Sequence, residues 1–133
     1  MTVVDGSVLV AALVDSGGDG RWAETLLADD EAAGPELALV ETANVLRRLE
    51  RAGRISRFEA VGAHRDMLRL EIELFPFRPF AERVWELRDN LISYDAWYVA
   101  VAETLGCRLA TLDRKLAGAF GPACEIVVPS YGD

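Results

Sequence analysis

Apolar and polar residues recur along this chain with two different periods, and each change of period marks an element. Thr2-Val3-Val4 is a short apolar run of the kind buried as a strand, and Ser7–Val14 continues as a helix. The Gly17-Gly18-Asp19-Gly20 turn opens a second helix, Arg21–Asp30, with Trp22, Leu26 and Leu27 as its packing side. After Gly34-Pro35, the residues Leu37–Arg51 predict a third helix with Ala38, Thr42, Val45 and Leu49 as its buried stripe and Gly53 as its stop. Ser56–Leu70 is a fourth. Glu71–Phe75 alternates as a strand does until Pro76 and Pro79 intervene. Phe80–Asn90 then predicts a helix with Val84 and Leu87 inward and Trp85 packed beside them.

The stretch Ser93–Leu105 stands apart. Tyr94, Tyr98, Val101 and Leu105 form one stripe, and Ala96, Trp97, Val99, Ala100 and Ala102 leave little polar surface elsewhere, which predicts a helix buried nearly all round. Ser93 is its expected N-cap and Gly106 its stop. Glu103 lies opposite Tyr94, where it should reach solvent, whereas Asp95 falls in the first turn at the edge of the buried stripe. Beyond it come a strand, Arg108–Leu112, ending at Asp113, a short helix, Arg114–Ala119, and a last strand, Glu125–Val128. Strands alternating with helices predict an α/β fold, a small parallel sheet of four to five strands covered on both faces, as one domain over 1–133.

Composition narrows what such a fold can do. No apolar run approaches the roughly 20 residues that span a bilayer, and no basic segment precedes Val8, so neither a membrane anchor nor a secretory signal is expected and the chain reads as cytoplasmic. Cys107 and Cys124 lack metal-ligand spacing and are expected as buried, reduced thiols. A single histidine, His64, is expected exposed on its helix and builds neither a triad nor a histidine metal site. The net charge of −8, from 22 acids and 14 bases, argues against a protein that grips nucleic acid by a generally basic surface. Yet Arg47, Arg48, Arg51, Arg54, Arg57, Arg65 and Arg69 cluster in sequence. They are either a solvated face with ordinary ion pairs or the positive rim of an acidic site.

The acidic site is suggested by four carboxylates. Asp5 and Asp113 lie at the carboxyl ends of predicted strands, where open parallel sheets bind their ligands. Asp95 borders the buried stripe, and Glu41 falls about 60° from Ala38 and about 40° from Val45 on a helical wheel. Brought together, such groups repel by about 4 kcal/mol for a pair 4 Å apart at an effective dielectric of 20. A hard divalent cation, Mg2+ or Mn2+, suits oxygen-only ligands and relieves that repulsion.

At these positions the chain resembles the PIN-domain ribonucleases, and among them the VapC toxins of bacterial toxin–antitoxin pairs. The resemblance rests on four runs in order. These are Val3-Val4-Asp5-Gly6-Ser7-Val8-Leu9-Val10, Pro35-Glu36-Leu37-Ala38-Leu39-Val40-Glu41-Thr42-Ala43-Asn44-Val45-Leu46, Tyr94-Asp95-Ala96-Trp97-Tyr98-Val99-Ala100-Val101-Ala102-Glu103 and Ala110-Thr111-Leu112-Asp113-Arg114-Lys115-Leu116. It implies a three-layer α/β/α PIN-like domain and a Mg2+-dependent endoribonuclease that cuts structured RNA such as tRNA or rRNA, inhibits translation and is silenced by a VapB-type antitoxin, usually as a homodimer. Asp5, Glu41, Asp95 and Asp113 would be its acidic quartet around the metal. Ser7 would hold a metal water or the phosphate, or else hydrogen-bond in the first turn of its helix, and Asn44 would orient Glu41 or simply lie exposed. Arg47, Arg48 and Arg51 would contact RNA or antitoxin.

Rival readings lack their own marks. A haloacid-dehalogenase-type phosphatase needs a second aspartate where Ser7 stands, a receiver domain needs adjacent acids after its first strand, and a dinucleotide-binding turn is missing after Asp5. The remaining alternative is a PIN-like module that binds RNA or protein and has lost its chemistry.

Overall fold

A computed structural model describes residues 1–130; the last three positions of the expected 1–133 domain lie outside the described residues. Among the described residues there are five strands: β1 (Thr2–Val4), β2 (Ala32–Pro35), β3 (Ile72–Phe75), β4 (Arg108–Ala110) and β5 (Ile126–Val127). They form one sheet in the order β3-β2-β1-β4-β5, every neighbouring pair parallel. Seven α-helices accompany them: α1 (Gly6–Val14), α2 (Gly18–Asp29), α3 (Leu37–Arg51), α4 (Arg57–Leu68), α5 (Ala81–Glu86), α6 (Ser93–Leu105) and α7 (Arg114–Ala117).

The connections decide the layers. From β1 the chain steps outward to β2 and β3 through α1–α4, then returns past β1 to β4 through α5 and α6 and continues to β5. Parallel crossovers are right-handed, so reversing the direction of travel puts α1–α4 on one face and α5–α7 on the other. The reversal opens a crevice between the carboxyl ends of β1 and β4. Asp5 follows β1 and Asp113 follows β4.

The core forms between β1, β4 and α6. Val3, Val4, Leu109 and Ala110 are buried, as are Ala96, Tyr98, Val99, Ala100, Val101 and Ala102 of α6. Its small residues let that helix lie close over the sheet. Ala11, Val8 and Leu9 of α1 close the same core from the other face. Gly20, near the start of α2, belongs where it is: a Cβ there would stand 1.8 Å from the Asp15 carbonyl oxygen, so only glycine lets α2 begin so near the end of α1.

Several expectations are corrected. β2 was not foreseen, because Ala32-Ala33-Gly34-Pro35 has almost no strand propensity and is held by complete burial between β1 and β3. α2 starts at Gly18 rather than Arg21. The expected helix over Phe80–Asn90 is a 3-10 turn, Arg78–Phe80, followed by α5 ending at Glu86. Trp85 is exposed rather than packed, with the Arg88 guanidinium 4.5 Å above its ring. Leu46, not Val45 or Leu49, completes the buried stripe of α3. Ser93 is the first helical residue of α6 and Ile92 its N-cap, without a side-chain cap bond. Tyr94 is 59% exposed, outside the buried stripe. Ser56 caps α4 in a capping box with Glu59, and His64 is exposed as expected. The two thiols are free and half-buried. Among the described residues no helix is long and apolar enough to cross a membrane.

Candidate active site

Asp5 is the most constrained of the four acids. It is the N-cap of α1, and its Oδ1 accepts the backbone N–H groups of Ser7 (3.1 Å) and Val8 (3.3 Å) and the Ser7 hydroxyl (2.5 Å). The Thr111 hydroxyl donates to Oδ2 at 2.5 Å. Each hydroxyl is itself oriented from β4's far end, since the amide of Leu112 donates to Ser7 Oγ and that of Asp113 to Thr111 Oγ1. The carboxylate therefore sits at a node that locks the ends of β1 and β4 together. Burial pushes its pKa upward against these bonds, which favour the charged form.

The other three close round it. Asp113 caps α7, accepting from the amides of Lys115 (2.9 Å) and Leu116 (3.4 Å). Glu41 projects from α3 and accepts a long bond from the buried Tyr98 hydroxyl of α6 at 3.4 Å. A Cβ on Gly6 would lie 3.6 Å from the Glu41 Cβ, which shows how closely α3 approaches the start of α1. Asp95 is half-buried in the first turn of α6. Burial raises the pKa of Glu41, and repulsion from Asp5 and Asp95 raises it further. Burial likewise raises Asp95, with Asp5 and Asp113 adding to it. The four carboxylates thus share one electrostatic neighbourhood, and none of them has a basic partner among the described residues.

That donor set is all oxygen and carries uncompensated negative charge, which fits a hard divalent cation. Among the described residues no three acidic, histidine or cysteine side chains form a ready-made ligand cage. Mg2+ is usually held as a hydrated ion, directly by few carboxylates and through water by the rest.

A cavity of about 650 Å³ opens beside Ser7 and Glu41 and runs between α1 and α3, walled by Val10, Val14, Val45 and Leu49, with Arg54 and Ile55 at its rim. Val45 and Leu49 are half-buried because they line it rather than the core. Arg47, Arg48 and Arg51 are exposed on the last turns of α3. All seven arginines from Arg47 to Arg69 are exposed, as a solvated face requires, but none forms an ion pair among the described residues. Asn44 is exposed and makes no side-chain bond to Glu41 among the described residues.

Three residues take a place at the site that their sequence positions did not single out. Thr111 was quoted inside its motif without a role, although its place two residues before Asp113 puts its side chain on the same side of the strand end. Tyr98 lies one turn from Asp95 and was counted only as core. Arg54, rather than its neighbours on α3, reaches the cavity.

The PIN domain family model matches residues 2–119. Ribonuclease VapC9 of Mycobacterium tuberculosis is 38% identical over 128 residues, covering 96% of this chain and 98% of the relative. The chain belongs to the PIN-domain family of VapC ribonucleases. The sarcin–ricin loop cleaving toxin VapC20 of M. tuberculosis superposes with a TM-score of 0.67 at 20% identity, over 89% of this chain and 94% of that one. VapBC2 of Rickettsia felis, solved bound to a promoter DNA fragment, gives a TM-score of 0.65 at 14% identity over 96% and 97%. These two likenesses establish the PIN fold, and the match to VapC9 carries the family.

Proposed function

We propose that this VapC family member is a Mg2+-dependent endoribonuclease, with Mn2+ as an alternative ion, that hydrolyses phosphodiester bonds in structured RNA and so inhibits translation. The observation that carries this reading is the uncompensated quartet of Asp5, Glu41, Asp95 and Asp113 at the β1–β4 crevice. A divalent cation bound there supplies an acidified water and neutralises charge developing on a phosphoryl oxygen.

The chain's own residues do the rest. Ser7, Thr111 and the α1 amides hold Asp5 in one rotamer, so its orientation is set before metal or substrate arrives. Asp95 accepts no hydrogen bond among the described residues and is available as the second direct ligand. Glu41, held only by the long Tyr98 bond, and Asp113, shared with the α7 cap, are placed to ligate through water. The Ser7 hydroxyl donates to Asp5, which gives it a positioning role, while Asn44 keeps no defined part. Arg54 at the cavity rim, with Arg47, Arg48 and Arg51 behind it, offers contacts to RNA phosphates or to a partner's acids. A VapB-type antitoxin is the proposed partner, supported by the VapBC character of a structural neighbour, and the active species is proposed as a homodimer.

The test is cleavage of total cellular RNA by the purified chain with Mg2+, with EDTA, and with Asp5→Asn. Mg2+-dependent cleavage lost in both controls is the expected result. RNA that stays intact under all conditions while the protein binds it would replace the nuclease by a PIN-like binding module.

A further inference from the structure

The two cysteines are far apart in sequence but lead into neighbouring strands, Cys107 directly before β4 and Cys124 two residues before β5. Leu109 of β4 pairs with Ile126 of β5, and Ala110 with Val127. Cys107 stands two residues before Leu109 and Cys124 two before Ile126, so both lie at the entry to the same end of the paired strands, where the Leu109 amide donates to the Glu125 carbonyl at 2.9 Å. The strands they lead into lie about 4.8 Å apart, and a disulfide spans roughly 4.4–6.8 Å between Cα atoms. Both thiols are free, half-buried and packed against the core cluster. Each belongs to an anchored segment. The Cys107 amide donates to the Ala102 carbonyl at the end of α6. Next to Cys124, the Ala123 amide donates to Glu103 at 2.6 Å and the Gly121 carbonyl accepts from Arg83 at 3.0 Å.

We propose that Cys107 and Cys124 are an oxidant-responsive dithiol that closes to an intramolecular disulfide between the segments leading into β4 and β5 on reaction with hydrogen peroxide. One thiol, as its thiolate, attacks a peroxide oxygen, the O–O bond breaks and a sulfenic acid and one water result. The second thiol attacks that sulfur, the S–O bond breaks, and a second water leaves as the S–S bond forms. Two thiols lose two electrons and two protons, and peroxide is reduced to two waters. Burial pushes the Cys124 thiol up to about 11, which keeps it from being the readier thiolate for the opening attack. The ring so closed contains Thr111 and Asp113, so oxidation ties down the segment that carries one wall of the acidic crevice.

The experiment uses the whole reduced protein. After peroxide treatment under native conditions, both thiols should be lost to a thiol reagent and the mass should fall by two hydrogens. Digestion should yield a peptide joining Cys107 to Cys124, and dithiothreitol should reverse it. Closing a loop of this length should raise Tm by on the order of 10 °C. Cys107→Ser and Cys124→Ser should each abolish the reversible loss. Thiols that persist, oxygen added to each sulfur without a cross-link, a cross-link between two chains, or a closed form melting below the reduced one would each overturn the proposal. None of these readouts depends on ribonuclease activity.

Discussion

Helix α6 carries two carboxylates near its ends, and the fold treats them in opposite ways. Glu103 is embraced by Arg83, Nε to Oε1 at 2.7 Å and Nη2 to Oε2 at 3.0 Å, and also accepts the Ala123 amide. Burial pulls its pKa up, but Arg83 and Ala123 outweigh that and hold the carboxyl below its ordinary value. Asp95, two turns earlier, faces Asp5 and Asp113, and its pKa is driven up. The chain has 14 lysines and arginines and spends one where an acid is structural. It leaves the other end of the same helix without one. An acid neutralised from within stabilises a fold, and the proposed function takes the group of acids left bare as the place for a cation from outside.

The largest effect that can break this contrast is on activity. Asp95→Asn keeps the volume of the side chain and removes its charge, so RNA cleavage should fall by about 10²–10³-fold. Glu103→Gln, on the same helix, should leave the activity of the folded protein within a few-fold. Initial rates on one RNA for both variants check the pair, and equal losses would erase the distinction between the two ends.

The second effect couples metal to pH. Asp5, Glu41 and Asp95 all titrate above their ordinary values, so the folded protein keeps protons at a pH where the unfolded chain has already released them. As pH rises through that window the metal-free fold loses stability, and mild acidification restores it. A bound cation favours the ionised form and reverses the sign. Saturating Mg2+ or Mn2+ should therefore stabilise the protein by about 2.7 kcal/mol at 100 times Kd near neutral pH, with the gain fading as protons return to the carboxylates. Thermal melts with metal and with EDTA across pH check it. The gain should be smaller in Asp95→Asn and unchanged in Glu103→Gln.

How much of this could be read from residues alone follows the same division. Asp5 and Asp113 were legible because a strand end is marked by where an apolar run stops, and the helical angle of Glu41 needed only its neighbours on α3. Asp95 was legible from its conflict with an otherwise apolar segment. The Arg83–Glu103 pair was not, and Glu103 was expected in solvent, because its partner arrives from a different helix whose position only the packed fold sets. The same holds for Thr111 and Tyr98, whose hydroxyls find Asp5 and Glu41 across the sheet. β2 shows the converse limit: Ala32–Pro35 becomes an inner strand through burial alone, with no local preference to announce it. The Ser93 cap failed for a local reason, since the side chain expected to cap belongs to the residue already inside the helix.

The structural end of α6 supplies the third effect. Arg83→Met keeps the stem of the side chain and removes the charge, leaving Glu103 partly buried with one backbone donor. Charged hydrogen bonds of this kind are worth about 2 kcal/mol. Urea unfolding should show that loss, with cleavage by the protein that remains folded unaltered.

The smallest expected effect is the most discriminating, because it turns on a sign. In metal-free protein at neutral pH, Asp95→Asn removes a charge that only repels, so it should leave stability unchanged or raise it by up to about 1 kcal/mol, the scale of a partly exposed charge contact. Glu103→Gln removes a charge that only attracts, so it should lower stability. Both substitutions are isosteric and lie on one helix, so helix propensity and volume largely cancel between them. Running the two melts again with excess Mg2+ should narrow that gap: wild type gains, Glu103→Gln gains equally, and Asp95→Asn gains less. If Asp95→Asn instead destabilised the metal-free protein as Glu103→Gln does, Asp95 would be holding the fold together, and the bare carboxylates could no longer be read as a place kept for an ion.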